Sequence, residues 1–154
     1  TNGAANINRS ASFNLNVNDD PVSDSGDDRS PELQAQALSR SFAERYGSYS
    51  SNHPFQNLMD LRLFMTERFW SASERLIAGA QAPTSYYGVT SKAVRVNTIR
   101  FETGEDRATF QVALQRRESR ADADPVVYYQ NLTLHLLRSG GEWLVDEAAW
   151  EKVP

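Results

Sequence analysis

Hydrophobic residues change their spacing twice along this chain. In residues 1–29 they are sparse, and one alternating stretch, Phe13-Asn-Leu15-Asn-Val17, stands in a background of Asn, Ser and Asp. From Ser30 to about residue 79 the apolar positions recur at helical spacing, and after Pro83 the period falls to two. A period of 3.6 marks a helix with one buried stripe; a period of two marks a strand with one buried face.

The helical region resolves into three predicted elements. Ser30 suits an N-cap, Pro31 the first helical position, and Glu32 the positive end of the helix. Leu33, Ala37, Leu38, Ser41, Phe42 and Tyr46 form one stripe, and Gly47 is a natural stop. Residues 48–54 read as a polar loop. A second helix over about 56–65 carries Leu58, Leu61, Phe64 and Met65. Thr66 caps a third over about 67–79, with Phe69, Trp70, Leu76 and Ile77 facing inward. The spacing leaves open whether helices two and three are continuous.

Four strands follow. The first, about 90–103, has Val94 and Val96 in one phase and Ile99 and Phe101 in the other, so a bulge is expected near Asn97-Thr98. A turn at 103–106 leads to a strand over about 107–117 with Ala108, Phe110, Val112 and Leu114 on one face. A charged loop to Pro125 precedes a strand over about 126–138, with Tyr128, Leu132, Leu134 and Leu136 inward. Ser139-Gly140-Gly141 turns into the last strand, about 142–150, bearing Trp143, Val145 and Trp150. The expected fold is α+β: three N-terminal helices packed on a bent antiparallel four-stranded sheet, preceded by an extended tail. Residues 1–29 are the polar acidic tail, with an added β-strand expected at 12–18, and residues 30–154 are the domain.

Charge sharpens this division. The net charge is −4, and residues 1–29 hold five Asp against two Arg, leaving the domain nearly neutral. Such a surface lacks the basic face that nucleic acid binding requires. There is no cysteine, hence no disulfide framework and no thiolate metal site. No stretch approaches the ~18 apolar residues of a membrane-spanning helix. The chain opens on Thr1 rather than Met, and a signal peptide or membrane anchor is expected upstream.

The capped helix ending in Phe42-Ala-Glu-Arg-Tyr46, the bulged first strand, the paired hairpins and the closing Gly140-Gly-Glu-Trp143-Leu-Val145 together resemble the NTF2-like superfamily of α+β cones. The resemblance covers about residues 30–153. It implies a helix-capped cone, which in enzymes and small-ligand binders holds Asp, His or Tyr inside. In the extracytoplasmic VirB8-like and TcpC-like components of conjugation and secretion machines, it implies the same fold without a reactive pocket. Tyr46-Gly-Ser-Tyr49 and the Arg116-Arg117 strand end look more like the second group.

Candidate chemistry is thin. His135 shares a strand phase with Tyr129, Asn131 and Thr133, opposite the leucines, and His53 stands alone before Pro54. Two histidines on different elements do not make a zinc site. Asp60, among Leu58, Leu61 and Phe64, is the best candidate acid–base group, with Tyr86 and Tyr87 at a cone mouth. Helix-start electrostatics, with Asn57 as N-cap, and ordinary packing are the bland accounts of these three. Arg116, Arg117, Glu118, Arg120, Asp122 and Asp124 read as a solvated hairpin end.

The outward face of the second and third strands is more informative. Thr109, Gln111, Ala113, Gln115, Val127, Tyr129, Asn131, Thr133 and His135 include no charged residue. Exposed sheets ordinarily carry charges that suppress association. The expected function is therefore non-enzymatic protein–protein assembly outside the cytoplasmic membrane of a bacterium. The module would be a conjugation-type scaffold or a self-assembling filament subunit. The expected interface comprises Thr109, Gln111, Gln115, Tyr129, Asn131, Thr133 and His135. Phe13, Leu15 and Val17 would fold back or be donated to a neighbour by strand addition. The expected partner is a protein, either a different one or other copies of the chain, with no nucleic acid and no cofactor. The alternative is a small-molecule isomerase, cyclase or dehydratase using Asp60, Tyr86 and Tyr87.

Overall fold

The structure is a computed structural model that describes residues 30–153. The expected strand at 12–18, with Phe13, Leu15 and Val17, lies outside the described residues. Along the chain the elements are α1 (Pro31–Tyr46), β1 (Tyr49–Ser50), α2 (Gln56–Asp60), a 3-10 turn (Arg62–Phe64), α3 (Glu67–Gly79), β2 (Tyr87–Phe101), β3 (Arg107–Arg120), β4 (Ala123–Ser139) and β5 (Glu142–Trp150). The sheet is antiparallel throughout, in the order β1-β2-β3-β4-β5. The α+β class holds, but the sheet has five strands. The fifth comes from the predicted polar loop, where Tyr49 and Ser50 pair with Val89 and Gly88.

The core lies between the helices and the inner sheet face. Phe110, Val112, Leu114, Leu132, Leu134, Leu136 and Val145 are buried there, as their alternation predicted. Ala35, Phe42 and Ala43 of α1 and Trp70 of α3 close over them.

Helix α1 presents three faces. Ser30 caps it, its hydroxyl accepting from the Leu33 amide at 3.3 Å. Ala35, Ser39, Phe42 and Ala43 are buried, whereas Leu33 is 49% exposed. Of the predicted stripe, Phe42 is buried and Leu38 and Tyr46 pack against the core, while Leu33 points away from it. The third face is polar, with Glu32, Gln36, Arg40 and Glu44 spaced by four, all pointing at β2. Glu44 accepts from the Ala93 amide at 2.8 Å, and Arg40 donates to the Ala93 carbonyl at 3.1 Å. Gln36 donates to the Thr98 hydroxyl, which donates to Glu32, both at 2.9 Å. Among the described residues, strand β2 has no strand neighbour on this side beyond β1, and the helix supplies partners there.

Helices two and three are separate. Helix α2 has five residues and starts after Phe55, held at φ 62° with no side-chain cap, so Asn57 is not its N-cap. After the 3-10 turn, Met65 bridges Val145, and the Thr66 amide donates to the Val145 carbonyl at 3.0 Å. The Thr66 hydroxyl accepts from the Phe69 amide at 3.2 Å and donates to Asp146 at 2.7 Å. Arg68 adds a charged bond to Asp146 at 2.6 Å. These contacts tie the start of α3 to the β5 edge. Leu76 at 58% and Phe64 at 46% exposed are not inward residues.

The strands run longer than their alternation indicated. Strand β2 begins at Tyr87, which pairs with Arg120, so the predicted charged loop is the arm of a long hairpin closed at 121–122. The bulge predicted near Asn97-Thr98 is two bulges flanking that site. Val94 falls between the paired Ala93 and Arg95, and Ile99 between Thr98 and Arg100. Both bulge residues are exposed, so Val94 and Ile99 do not share the faces assigned to them, and Val96 and Phe101 pack at the core margin.

Two outcomes test this frame. Glu44→Ala, which strands an edge amide in a half-buried place, should destabilise by about 1–2 kcal/mol in urea unfolding; Glu44→Gln, still an acceptor, should lose less. Arg68 and Thr66 hold the Asp146 carboxyl below its ordinary value. A lowered folded pKa gives stability that is present above about pH 4 and is lost as pH falls through the folded value. Asp146→Asn should flatten that acid limb of a stability–pH curve and leave its neutral slope unchanged.

Candidate functional site

In a helix-capped cone the interior is the first place to look for chemistry. Here that end is filled. Phe42 stacks on Tyr46 with ring centroids 5.7 Å apart, Phe69 lies 6.1 Å from Phe42 and 6.0 Å from Tyr46, and Tyr46 stacks on Trp150 at 6.1 Å. Burial raises the pKa of the Tyr46 hydroxyl. The rings come from α1, α3 and β5, so the cluster joins three elements.

Arg116 closes the cluster. Its guanidinium lies 4.0 Å over Trp150 and 5.8 Å over Tyr128. Its Nε donates to Ser91 Oγ at 3.0 Å, Nη1 to Gln130 Oε1 at 2.6 Å, and Nη2 to the Gly47 carbonyl at 3.1 Å. None of these partners is a carboxylate. Ser91 in turn donates to the Gly47 carbonyl at 2.6 Å. Gly47 is required here by closeness, since a Cβ would stand 2.7 Å from Ser91 Oγ. Three of the five guanidinium donors, one on each nitrogen, are thus bonded within the fold, and both aromatic faces pack on the plane, so Arg116 ties the surrounding elements together.

The three candidate pocket residues do not converge on this interior. Asp60 lies on the outside of α2, accepting from Arg45 Nε at 3.1 Å and Gln56 Nε2 at 2.8 Å. Those two bonds, Gln56 first, hold its carboxyl below the usual range, so it stays ionised near neutral pH. Tyr86 lies across Gly88, where a Cβ would come 2.3 Å from its hydroxyl. It borders a polar cleft of about 320 Å³, with His53 and Arg117 among the lining residues. Tyr87 donates to Glu118 at 2.7 Å beneath Arg120, whose guanidinium is 4.7 Å from the ring. Burial, then the bond to Glu118, push its pKa up to about 12. Among the described residues no three of His, Asp and Glu gather to hold a metal.

The outer sheet face is a different kind of surface. Its polar side chains are hydrogen-bonded to one another across the strands. Thr109 meets His135 at 3.1 Å, and Gln115 donates to the Tyr129 hydroxyl at 2.9 Å. Gln111 and Asn131 both donate to the Glu151 carboxylate, at 3.2 and 3.0 Å. Thr133 pairs with Gln111 in the same register. Tyr129, paired with Gln115 at one end of this patch, is 61% exposed. Glu151 brings to its margin one charge that the alternation of β3 and β4 does not disclose.

A solved structure described as "Ntf2 like protein involved in plasmid conjugation" superposes on this chain with a TM-score of 0.56 over 81% of it, at 14% identity. The chain has an NTF2-like fold. It spans about half of that structure, 51% of its length. No family model and no curated protein matches the sequence. In this NTF2-like domain the cone is closed by an arginine and four aromatic rings, and the candidate interface residues lie together on the opposite face. Sequence reasoning placed Arg116 in a solvated loop and missed its role. The signal was present, since Arg116 continues the inward phase of Val112 and Leu114.

A conservative change distinguishes packing from ligand binding at this position. Arg116→Lys keeps the charge but loses the stacked plane and most of the donors. It should lower stability by roughly 1–3 kcal/mol in chemical denaturation.

Proposed function

We propose that this domain is a non-enzymatic, extracytoplasmic protein–protein assembly module of the conjugation or secretion type, able to associate with further copies of itself. The observation that carries the proposal is the self-paired outer face. A polar surface whose side chains are already bonded to one another loses fewer hydrogen bonds to water when a partner dries it. Tyr129, exposed at one end of the patch, offers an amphipathic anchor, the kind of residue on which interfaces concentrate their energy. The filled cone and the superposition on a protein involved in plasmid conjugation support the same reading. The resemblance to VirB8-like and TcpC-like domains is what supports the extracytoplasmic location and an anchor upstream as parts of this proposal. The isomerase or cyclase reading needs Asp60, Tyr86 and Tyr87 around one cavity, and no observation brings them there.

Light scattering on the full chain over a range of concentrations tests the proposal. The mass should rise with concentration, and Tyr129→Arg, a change on an exposed side chain, should hold it at the monomer with unchanged melting. Equal masses for both proteins at every concentration would remove this face as a self-association contact. Turnover that depends on Asp60 would overturn the non-enzymatic reading altogether.

A further inference from the structure

The neutral outer face is bounded by charge on both sides, and the two sides differ in sign. Strand pairing sets residues in rows across the sheet, with paired side chains on the same face. One row runs Arg95 on β2, Ala113 on β3, Asn131 on β4 and then Glu151 just past β5, whose amide donates to the Asn131 carbonyl at 2.9 Å. Another runs Arg100, Thr109, His135 and Glu147 over the same four columns. Each of these rows is basic at its β2 end and acidic at its β5 end. Lys92, opposite Gln115, extends the basic side, and Glu142, opposite Ser139, extends the acidic side. All of these charged side chains are exposed.

The charges differ in how far the fold already uses them. Arg100 pairs with Glu105 at 3.2 Å, and Glu147 stands 3.9 Å from Arg68. Glu151 accepts from the side-chain amides of Gln111 and Asn131, which are neutral and leave its charge in place. Among the described residues no ion pair neutralises Arg95 or Glu151. A row with a cation at one end and an anion at the other is its own complement when turned end for end. A two-fold axis along the strands, between β3 and β4, does this. It lays β2 of one copy over β5 of the other, and β3 over β4. Arg95 then faces Glu151 of the second copy, Gln111 faces Thr133, and Tyr129 faces Gln115. A two-fold axis across the strands would instead lay β2 on β2 and β5 on β5, like charge on like. Packed sheet faces stand about 10 Å apart, within the combined reach of an arginine and a glutamate.

We infer that the partner of the outer face is a second copy of this chain, related by a two-fold axis parallel to the strands, with Arg95 and Glu151 forming two reciprocal ion pairs. The inference rests on the assembly reading above and adds the orientation and the limit of the contact. An isologous contact uses the same face of both copies and closes at two chains, so this face ends in a dimer instead of a filament.

Reciprocal charge reversal on the full chain tests it. Arg95→Glu and Glu151→Arg alter exposed side chains, and each protein should keep its melting temperature. The unaltered protein should sediment as a monomer–dimer equilibrium that weakens with added sodium chloride. Each variant alone should dimerise at least about tenfold more weakly, because both reciprocal contacts then bring like charges together. An equimolar mixture of the two variants should recover the original constant, and native mass spectrometry should find one chain of each kind in the dimer. That recovery separates the inference from a folding fault in either variant. Dimers lost in Tyr129→Arg but kept in both charge variants, or no recovery when the folded variants are mixed, would leave the face as an interface and overturn this orientation. Assemblies larger than two chains would overturn the closed two-fold contact. An unaltered protein that stays monomeric at every concentration would remove the second copy as occupant, and the self-association reading with it.

Discussion

The two hydrogen bonds between α1 and Ala93 are the constraint on which the rest of the structure depends. Strand β2 is the longest run in the sheet without a strand neighbour on one side, because β1 covers only Gly88 and Val89. Its edge would otherwise be open to water or to other chains. Glu44 and Arg40 satisfy the amide and carbonyl of Ala93 from the helix. This fixes both the height and the rotation of α1 over the sheet. Once α1 is so rotated, Phe42 and Tyr46 enter the cone and Leu33 is left outside it.

Arg116 completes what that rotation begins. It links the end of α1 at Gly47 to β2 through Ser91, to β4 through Gln130, and to β5 through the Trp150 ring. A carboxylate partner would have needed desolvation of a second charge. Neutral acceptors and aromatic faces hold the guanidinium without that cost. The other side of the sheet uses an ion pair: Asp146, itself a bulge residue, takes Arg68 and Thr66 and so anchors α3 to β5. Both sheet edges are thus held by helix starts or helix side chains, and the middle strands are free to present a flat face outward.

Much of this was legible in the residues. Alternation located all four long strands and the inward sets of β3, β4 and β5, because a half-buried antiparallel strand leaves a period of two; the two bulges broke that period in β2. The caps at Ser30 and Thr66 were legible because capping is local chemistry. The facing of α1 was not. Spacing found Leu38, Phe42 and Tyr46 but added the exposed Leu33 and passed over Ala35 and Ala43. Small residues bury closely against a sheet and contribute little to a hydrophobic pattern. Strand β1 was hidden because Tyr49-Ser50 is too short to show a period. Arg116 was misplaced because charge outweighed phase in reading the end of β3. For the candidate site, alternation put Tyr129, Thr133 and His135 on one face, yet could not show that Glu151, twenty residues on, turns back to join Asn131.

The two bulges of β2 separate shape from pattern. Val94 and Ile99 have no partner of their own on β3, while every residue on either side of them does. Removing both would leave a continuous ladder with the same residues facing the core. Each bulge therefore behaves as a single inserted residue that bends the strand and disturbs no neighbour's facing. Loss or gain of one codon at either place would flatten or tighten the cone and leave its core composition untouched. In this fold curvature and core are independently heritable, and a lineage can adjust the width of the cone without reinventing what fills it.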